Sequence, residues 1–277
     1  MTNTRNHITL QPAYVLHGRP YRDTSLLLEV LTPDYGRIGL VARGVRSARS
    51  RLRGVLQPFR PLLMSWNGGG DLGTLTGAEA PVEEGNAGAG LAGGSLMSGF
   101  YLNELLLRLL HRHDPHPALF HGYGLALRKL SLVRDDVALQ QALRIFEKEL
   151  LQDTGYGLVL DHDVVTGQPV AADGMYRYHM EKGPERIIPA AAHGILPPAA
   201  LAEPFANALP CAAHVANTLG MVLHGHTLLG LARNELRDVI NLHEAKQLLR
   251  KILAVHLGQR PLRSRELYSE MLAGASL

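Results

Sequence analysis

The first eighty residues break into short apolar runs, each stopped by a turn signal before it reaches the length of an ordinary helix. Residues 11–19 (QPAYVLHGR) end at Gly18-Arg19-Pro20. Residues 25–32 (SLLLEVLT) stop at Pro33-Asp34-Tyr35-Gly36, a turn sequence with proline and glycine suitably placed. Residues 37–43 (RIGLVAR) follow at once, so these two runs form a hairpin. Residues 57–66 (QPFRPLLMSW) read as a fourth strand, which Pro58 and Pro61 assign to an edge or a bulge. The loop Asn67-Gly68-Gly69-Gly70-Asp71 leads to a fifth strand over residues 72–80. Five short strands joined this way suit a small closed or half-closed barrel. An OB-type barrel is one solution, and an SH3-like barrel fits the strand count nearly as well.

Residues 81–94 (PVEEGNAGAGLAGG) are dominated by glycine and alanine and mark a linker. The pattern then turns helical over residues 95–113, 117–133 and 135–152. In the last of these, Val137, Leu139, Leu143, Phe146 and Leu150 recur at helical spacing. Residues 156–210 break the pattern, with a turn at Thr166-Gly167-Gln168-Pro169 and a short strand at residues 175–180. Helices resume over residues 211–230, 233–257 and 264–273. The expected architecture is α+β: an OB-fold β-barrel at residues 1–80, the linker, and a mainly α-helical domain at residues 95–277 with a small irregular insertion. With 46% apolar and 19% charged residues in 277, the chain can fill a core. Its apolar runs fall short of the ~20 residues of a membrane span. The start, MTNTRNHIT, has no hydrophobic signal core, and the single cysteine, Cys211, excludes an internal disulfide and a four-cysteine zinc site. A cytoplasmic, non-membrane protein is expected.

Charge is unevenly spread. Residues 1–80 hold ten arginines against five carboxylates, and the remainder is slightly acidic. Between Asp34 and Asp71 there is no acidic residue, but there are Arg37, Arg43, Arg46, Arg49, Arg51, Arg53 and Arg60. The densest stretch is residues 42–54, ARGVRSARSRLRG, between the third and fourth strands. The arginine fork matches phosphate oxygens and stacks on bases, and the small residues between the arginines suggest a flexible arm able to follow a phosphate backbone. A merely solvated loop is the rival reading. An anionic membrane surface is less apt, because no amphipathic helix accompanies the cluster. Aromatic residues are barely denser here than in the chain as a whole. Tyr14, Tyr35 and Trp66 read mainly as core, which leaves binding electrostatic and weakly sequence-specific.

The stretch AYVLHGRPYRDTSLLLEVLTPDYGRIGLVARGVRSARSRLRGVLQPFRPL (residues 13–62) resembles the RecO family of bacterial DNA repair proteins. YLNELLLRLL (residues 101–110), the GYG of residues 155–157 and GQRPLRSREL (residues 258–267) fit the same family. The likeness covers nearly the whole chain and is loosest at residues 81–94 and 171–210. It implies an N-terminal OB fold, a helical C-terminal domain and a non-enzymatic recombination mediator in the nucleoid. Such a mediator binds single- and double-stranded DNA, anneals complementary strands, and works with RecR and the tail of single-stranded DNA-binding protein to load RecA. Many members carry a four-cysteine zinc module after the position of Gly155. Here Asp163 and Thr166 stand where the first cysteine pair falls, so no metal or other cofactor is expected.

Other signals carry less. Gly88-Ala89-Gly90-Leu91-Ala92-Gly93 matches a dinucleotide fingerprint but lacks the strand before it. His111, His113 and His116 around Asp114, and His224 with His226, invite a metal reading and so a metal-dependent hydrolase. The first group sits at a helix end, where histidine meets the helix dipole favourably. Lys246, Arg250, Lys251, Arg260, Arg263 and Arg265 read either as a solvated face or as a second patch for DNA or an acidic partner tail. An RNA-binding or ribosome-associated barrel is the main alternative to the DNA reading.

Overall fold

The computed structural model describes residues 7–68, 70–81, 91–133, 135–188, 220–236, 238–258 and 260–274. Residues 82–90 of the expected linker and Cys211 lie outside these. The chain divides into two compact units, one of residues 1–157 with 254–277, the other of residues 158–253.

In the first unit, β1 (His7–Tyr21), β2 (Ser25–Thr32), β3 (Gly36–Ala42), β4 (Pro61–Asn67) and β5 (Gly73–Glu79) form a ring in the order β1-β2-β3-β5-β4. The length of β1 makes the ring possible. Its first half pairs with β4 and its second half with β2, and Tyr14 faces both Leu31 and Pro61. Pro61 opens its strand, where a missing N–H does least harm. The turn between β2 and β3 admits only glycine at Gly36: φ is +63°, and a Cβ there would lie 2.0 Å from the Asp114 carbonyl oxygen. Alternate residues of the strands, among them Val15, Leu28, Val30, Leu40, Met64 and Trp66, fill the interior.

Three helices, α2 (Gly93–Leu109), α3 (Pro117–Leu132) and α4 (Asp136–Asp153), complete most of this unit, after a single-turn α1 (Leu52–Val55) within the ring's long loop. Tyr14 points from the ring onto α3, with centroids 5.2 Å from Phe120 and 5.1 Å from Tyr123. Asn103 of α2 donates to the Leu16 carbonyl and accepts from the Tyr123 hydroxyl. Beneath lies a buried knot in which the Glu147 carboxylate accepts from the Tyr101 hydroxyl and from Arg144, each at 2.6 Å. Burial beside that carboxylate pushes the Tyr101 phenol far up.

The second unit holds β6 (Met175–His179), β7 (Gly183–Arg186) and β8 (Met221–His224) in the order β7-β6-β8, then α5 (Gly225–Arg233) and most of α6 (Val239–Leu257). A last helix, α7 (Arg263–Gly274), belongs to the first unit.

These pairings correct the fold class expected from the sequence, an OB-fold barrel followed by a mainly helical domain with an irregular insertion. The class remains α+β, but the ring is not one continuous antiparallel wall. It closes through a parallel seam of two residue pairs, Leu40↔Gly73 and Val41↔Thr74. Crowding limits that seam: a Cβ on Gly73 would come within 2.9 Å of Leu40 Cδ2. The supposed irregular insertion supplies two strands of an ordered sheet. Its third strand, β8, was expected to be helical, because a four-residue apolar run that leads straight into a helix has no period of its own.

Candidate nucleic-acid interface

The connection from β3 to β4 carries the arginines, and it is anchored rather than free. Val45 and Leu56 are buried in the ring's core, and Leu52 and Val55 pack against it. Successive turns are tied by the Ser47 N–H to the Gly44 carbonyl and the Ser50 N–H to the Ser47 carbonyl. With the apolar positions turned inward, Arg43, Arg46, Arg49, Arg51 and Arg53 are exposed, as is Arg60 beyond α1. The expected flexible arm is thus corrected to a loop pinned at both ends.

Among the described residues, no carboxylate forms an ion pair with any of these six arginines. Arg46 instead donates from its backbone to the Thr24 carbonyl, and its guanidinium reaches the Arg22 and Asp23 carbonyls at 3.3 Å. This docks the loop on the β1–β2 turn and brings exposed Arg19 and Arg22 to the same end of the ring, with the Arg22 guanidinium 5.3 Å from the centre of the Tyr21 ring. Sequence reasoning missed both arginines. The available signal was the Tyr21-Arg22-Asp23-Thr24 turn, which has to lie beside whatever follows β3.

Arg37 does not join them. Its Nη1 donates to the Leu107 carbonyl at 2.9 Å and lies 3.7 Å from the Glu29 carboxylate, which Arg112 also holds. Burial lowers its pKa, Glu29 opposes that and Arg112 adds to it. Arg37 is a strut between the ring and the last turn of α2.

The second group of cations separates. Lys246, Arg250 and Lys251 are exposed on α6, with Leu248, Leu249, Ile252 and Leu253 buried on its other side. Arg260 and Arg263 are exposed in the first unit. Arg265 is half-buried over the Tyr101 ring at 5.4 Å and donates to its hydroxyl.

Two of the histidines, His116 and His224, serve as tethers. His116 Nδ1 sits 2.5 Å from Asp153 and its Nε2 3.4 Å from Asp114, while His224 Nδ1 contacts Glu244 at 2.6 Å. No group of three or more potential metal ligands occurs among the described residues. At the position of the family's zinc module, the buried Asp163 carboxylate is fully engaged. It accepts from the Val165 and Thr166 N–H groups on one oxygen and from the Arg186 N–H on the other. These residues do not fit a metal.

A small closed ring with a carboxylate-free cationic loop at one end, carried on a helical body, has the makings of a polyanion-binding protein whose site is a charged surface. The comparisons give the family. Residues 7–81 match the model for the N-terminal part of recombination protein O, and residues 93–266 match that for its C-terminal part. The chain is 48% identical to the DNA repair protein RecO of Nitrosococcus oceani, covering 95% of this chain and 94% of the relative. It is 44% identical to that of Alkalilimnicola ehrlichii (96% and 93%) and 41% identical to that of an Azoarcus species (97% and 98%). The chain belongs to the RecO family of DNA-repair and recombination proteins. Among the described residues no helix is long and apolar enough to cross a membrane.

Proposed function

We propose that the chain is a recombination mediator that grips DNA phosphates with Arg43, Arg46, Arg49, Arg51, Arg53 and Arg60, joined by Arg19 and Arg22. The observation that carries this reading is six exposed guanidinium groups without a carboxylate partner, held on a loop whose apolar residues anchor it in the ring. Left to themselves such charges repel one another, and a phosphate backbone relieves that repulsion with release of counterions. Two strands neutralised on one surface lose their mutual repulsion, so annealing needs no catalytic group. Single- and double-stranded DNA are both ligands, because both present a phosphate backbone to the arginines. Family membership supports partnership with RecR and with the acidic-hydrophobic tail of single-stranded DNA-binding protein in loading RecA. Lys246, Arg250 and Lys251 are the candidates for the partner side.

Strand annealing followed across a salt series tests this. Annealing is fast at low salt and fades as salt rises, and the triple variant Arg46→Glu, Arg49→Glu, Arg51→Glu anneals poorly at every salt concentration. Unchanged annealing by that variant would end the assignment, and preference for a matched RNA strand in competition would transfer it to RNA.

A further inference from the structure

The β2–β3 turn and the β4–β5 loop lie at the end of the ring away from the arginine loop. Between them is a cavity of about 80 Å³, lined by Ile8, Tyr35, Ile38, Leu40, Trp66 and His113. Tyr35 meets Trp66 edge to face, with centroids 5.3 Å apart at 84°. Tyr35 is 40% exposed and Trp66 only 4%, so the aromatic wall runs from solvent into the ring. Gly73 and Gly39 let the walls approach closely: a Cβ on Gly73 would lie 3.2 Å from the indole Cδ1, and one on Gly39 would lie 3.0 Å from the Asp71 carbonyl oxygen. Among the described residues, neither the Tyr35 hydroxyl nor the Trp66 N–H has a hydrogen-bond partner.

An apolar slot with an aromatic wall and two unspent donors suits a flat ring that bears carbonyl acceptors. A purely aliphatic guest would dry both donors without pairing them, which costs free energy. We infer that the cavity takes one unstacked nucleobase of a single strand whose phosphates the arginine loop holds; the inference rests on the DNA-binding reading above. The spacing fits. Arg43 follows Ile38 by five positions along an extended chain, ~17 Å, or roughly five nucleotides at the stacked spacing of about 3.4 Å. Bases in a duplex are paired and stacked and do not enter, so the cavity separates single from double strands where the arginines do not.

Trp66 is the only tryptophan in the chain, so its emission reports on the cavity directly. The full chain is titrated with an end-labelled oligothymidylate of about a dozen nucleotides, with label anisotropy and Trp66 emission read together. The emission falls in step with the anisotropy, whereas a duplex of equal length raises the anisotropy and leaves the emission unchanged. Tyr35→Ala weakens single-strand binding about five- to hundred-fold, the effect of losing one base stack, and leaves duplex binding as it was. Tyr35→Phe, which keeps the ring and loses the hydroxyl, restores most but not all of the single-strand affinity. Saturated single-strand binding with constant Trp66 emission, or an unaltered affinity in Tyr35→Ala, overturns the base pocket and leaves the arginine reading standing. No anisotropy change with either strand overturns both.

Discussion

Asp163 shows how one side chain can do the work of a metal. Its two oxygens collect three backbone N–H groups, from Val165, Thr166 and Arg186, and so fasten the 163–167 turn to β7. Burial on its own would raise this carboxyl, but the bonds from Arg186, Thr166 and Val165 outweigh it and hold it below the ordinary range. A carboxylate so depressed stabilises the fold above its unfolded pKa, and that stability is lost as pH falls through the lower folded value. Asp163→Ala therefore costs about 1.5–3 kcal/mol at neutral pH, as three part-buried N–H groups lose a charged acceptor. The urea midpoint of the parent falls more steeply than the variant's as pH drops below ~4, and parallel curves would refute the staple. The sequence announced the missing cysteines, but not the three N–H groups, which converge only once β7 has folded back. Arg37 is a similar case: in sequence it is one more arginine of a cationic run, and only the pairing of β3 shows it spent on Glu29 and Leu107.

At the scale of elements, α2 organises the end of the chain with two residues one turn apart. The Glu104 carboxylate accepts from the N–H groups of Arg263 and Ser264 and from the Ser264 hydroxyl, so it caps α7 from outside that helix. Arg108 donates to the carbonyls of Leu257, Arg260 and Pro261, at the end of α6 and in the link to α7. Glu104→Ala leaves two helix-start donors without an acceptor and costs about 1–2 kcal/mol. Hydrogen exchange of residues 263–274 reads the loss: it speeds in Glu104→Ala and recovers partly in Glu104→Gln, which keeps one acceptor. Equal exchange in all three proteins would mean that α7 is held by other contacts. Helices α2, α3, α4 and α7 were legible because apolar spacing and turn residues are local signals. Strand β8 was not, since its only evidence is the distant register Met175↔His224. The arginine loop was legible as charge but not as structure, because Val45 and Leu56 become anchors only when the ring supplies a core to receive them.

Over the whole molecule, charge is sorted by function more than by amount. A net charge of +3 is too small to grip DNA by itself, and the exposed arginines gathered at one end of the ring set the local field. Binding should then follow the number of phosphates met by that end. With four to six neutralised, the log–log dependence of affinity on salt has a slope of roughly −3 to −5. Reversing Arg46, Arg49 and Arg51 removes about three contacts and flattens the slope by about 2 on a single strand and nearer 3 on a duplex, similarly for unrelated sequences. The row on α6 is the internal comparison. Lys246→Glu with Arg250→Glu makes a charge change of the same kind on a solvated helix face assigned to a partner. Its DNA slope stays that of the parent, although it too lowers the net charge. The comparison separates a located grip from a diffuse attraction: a diffuse field weakens in proportion to total charge wherever the change is made, whereas a grip responds only at the loop. Flattening by one unit or more in the α6 variant would move part of the DNA path onto that helix and leave the ring loop as one of two contact surfaces.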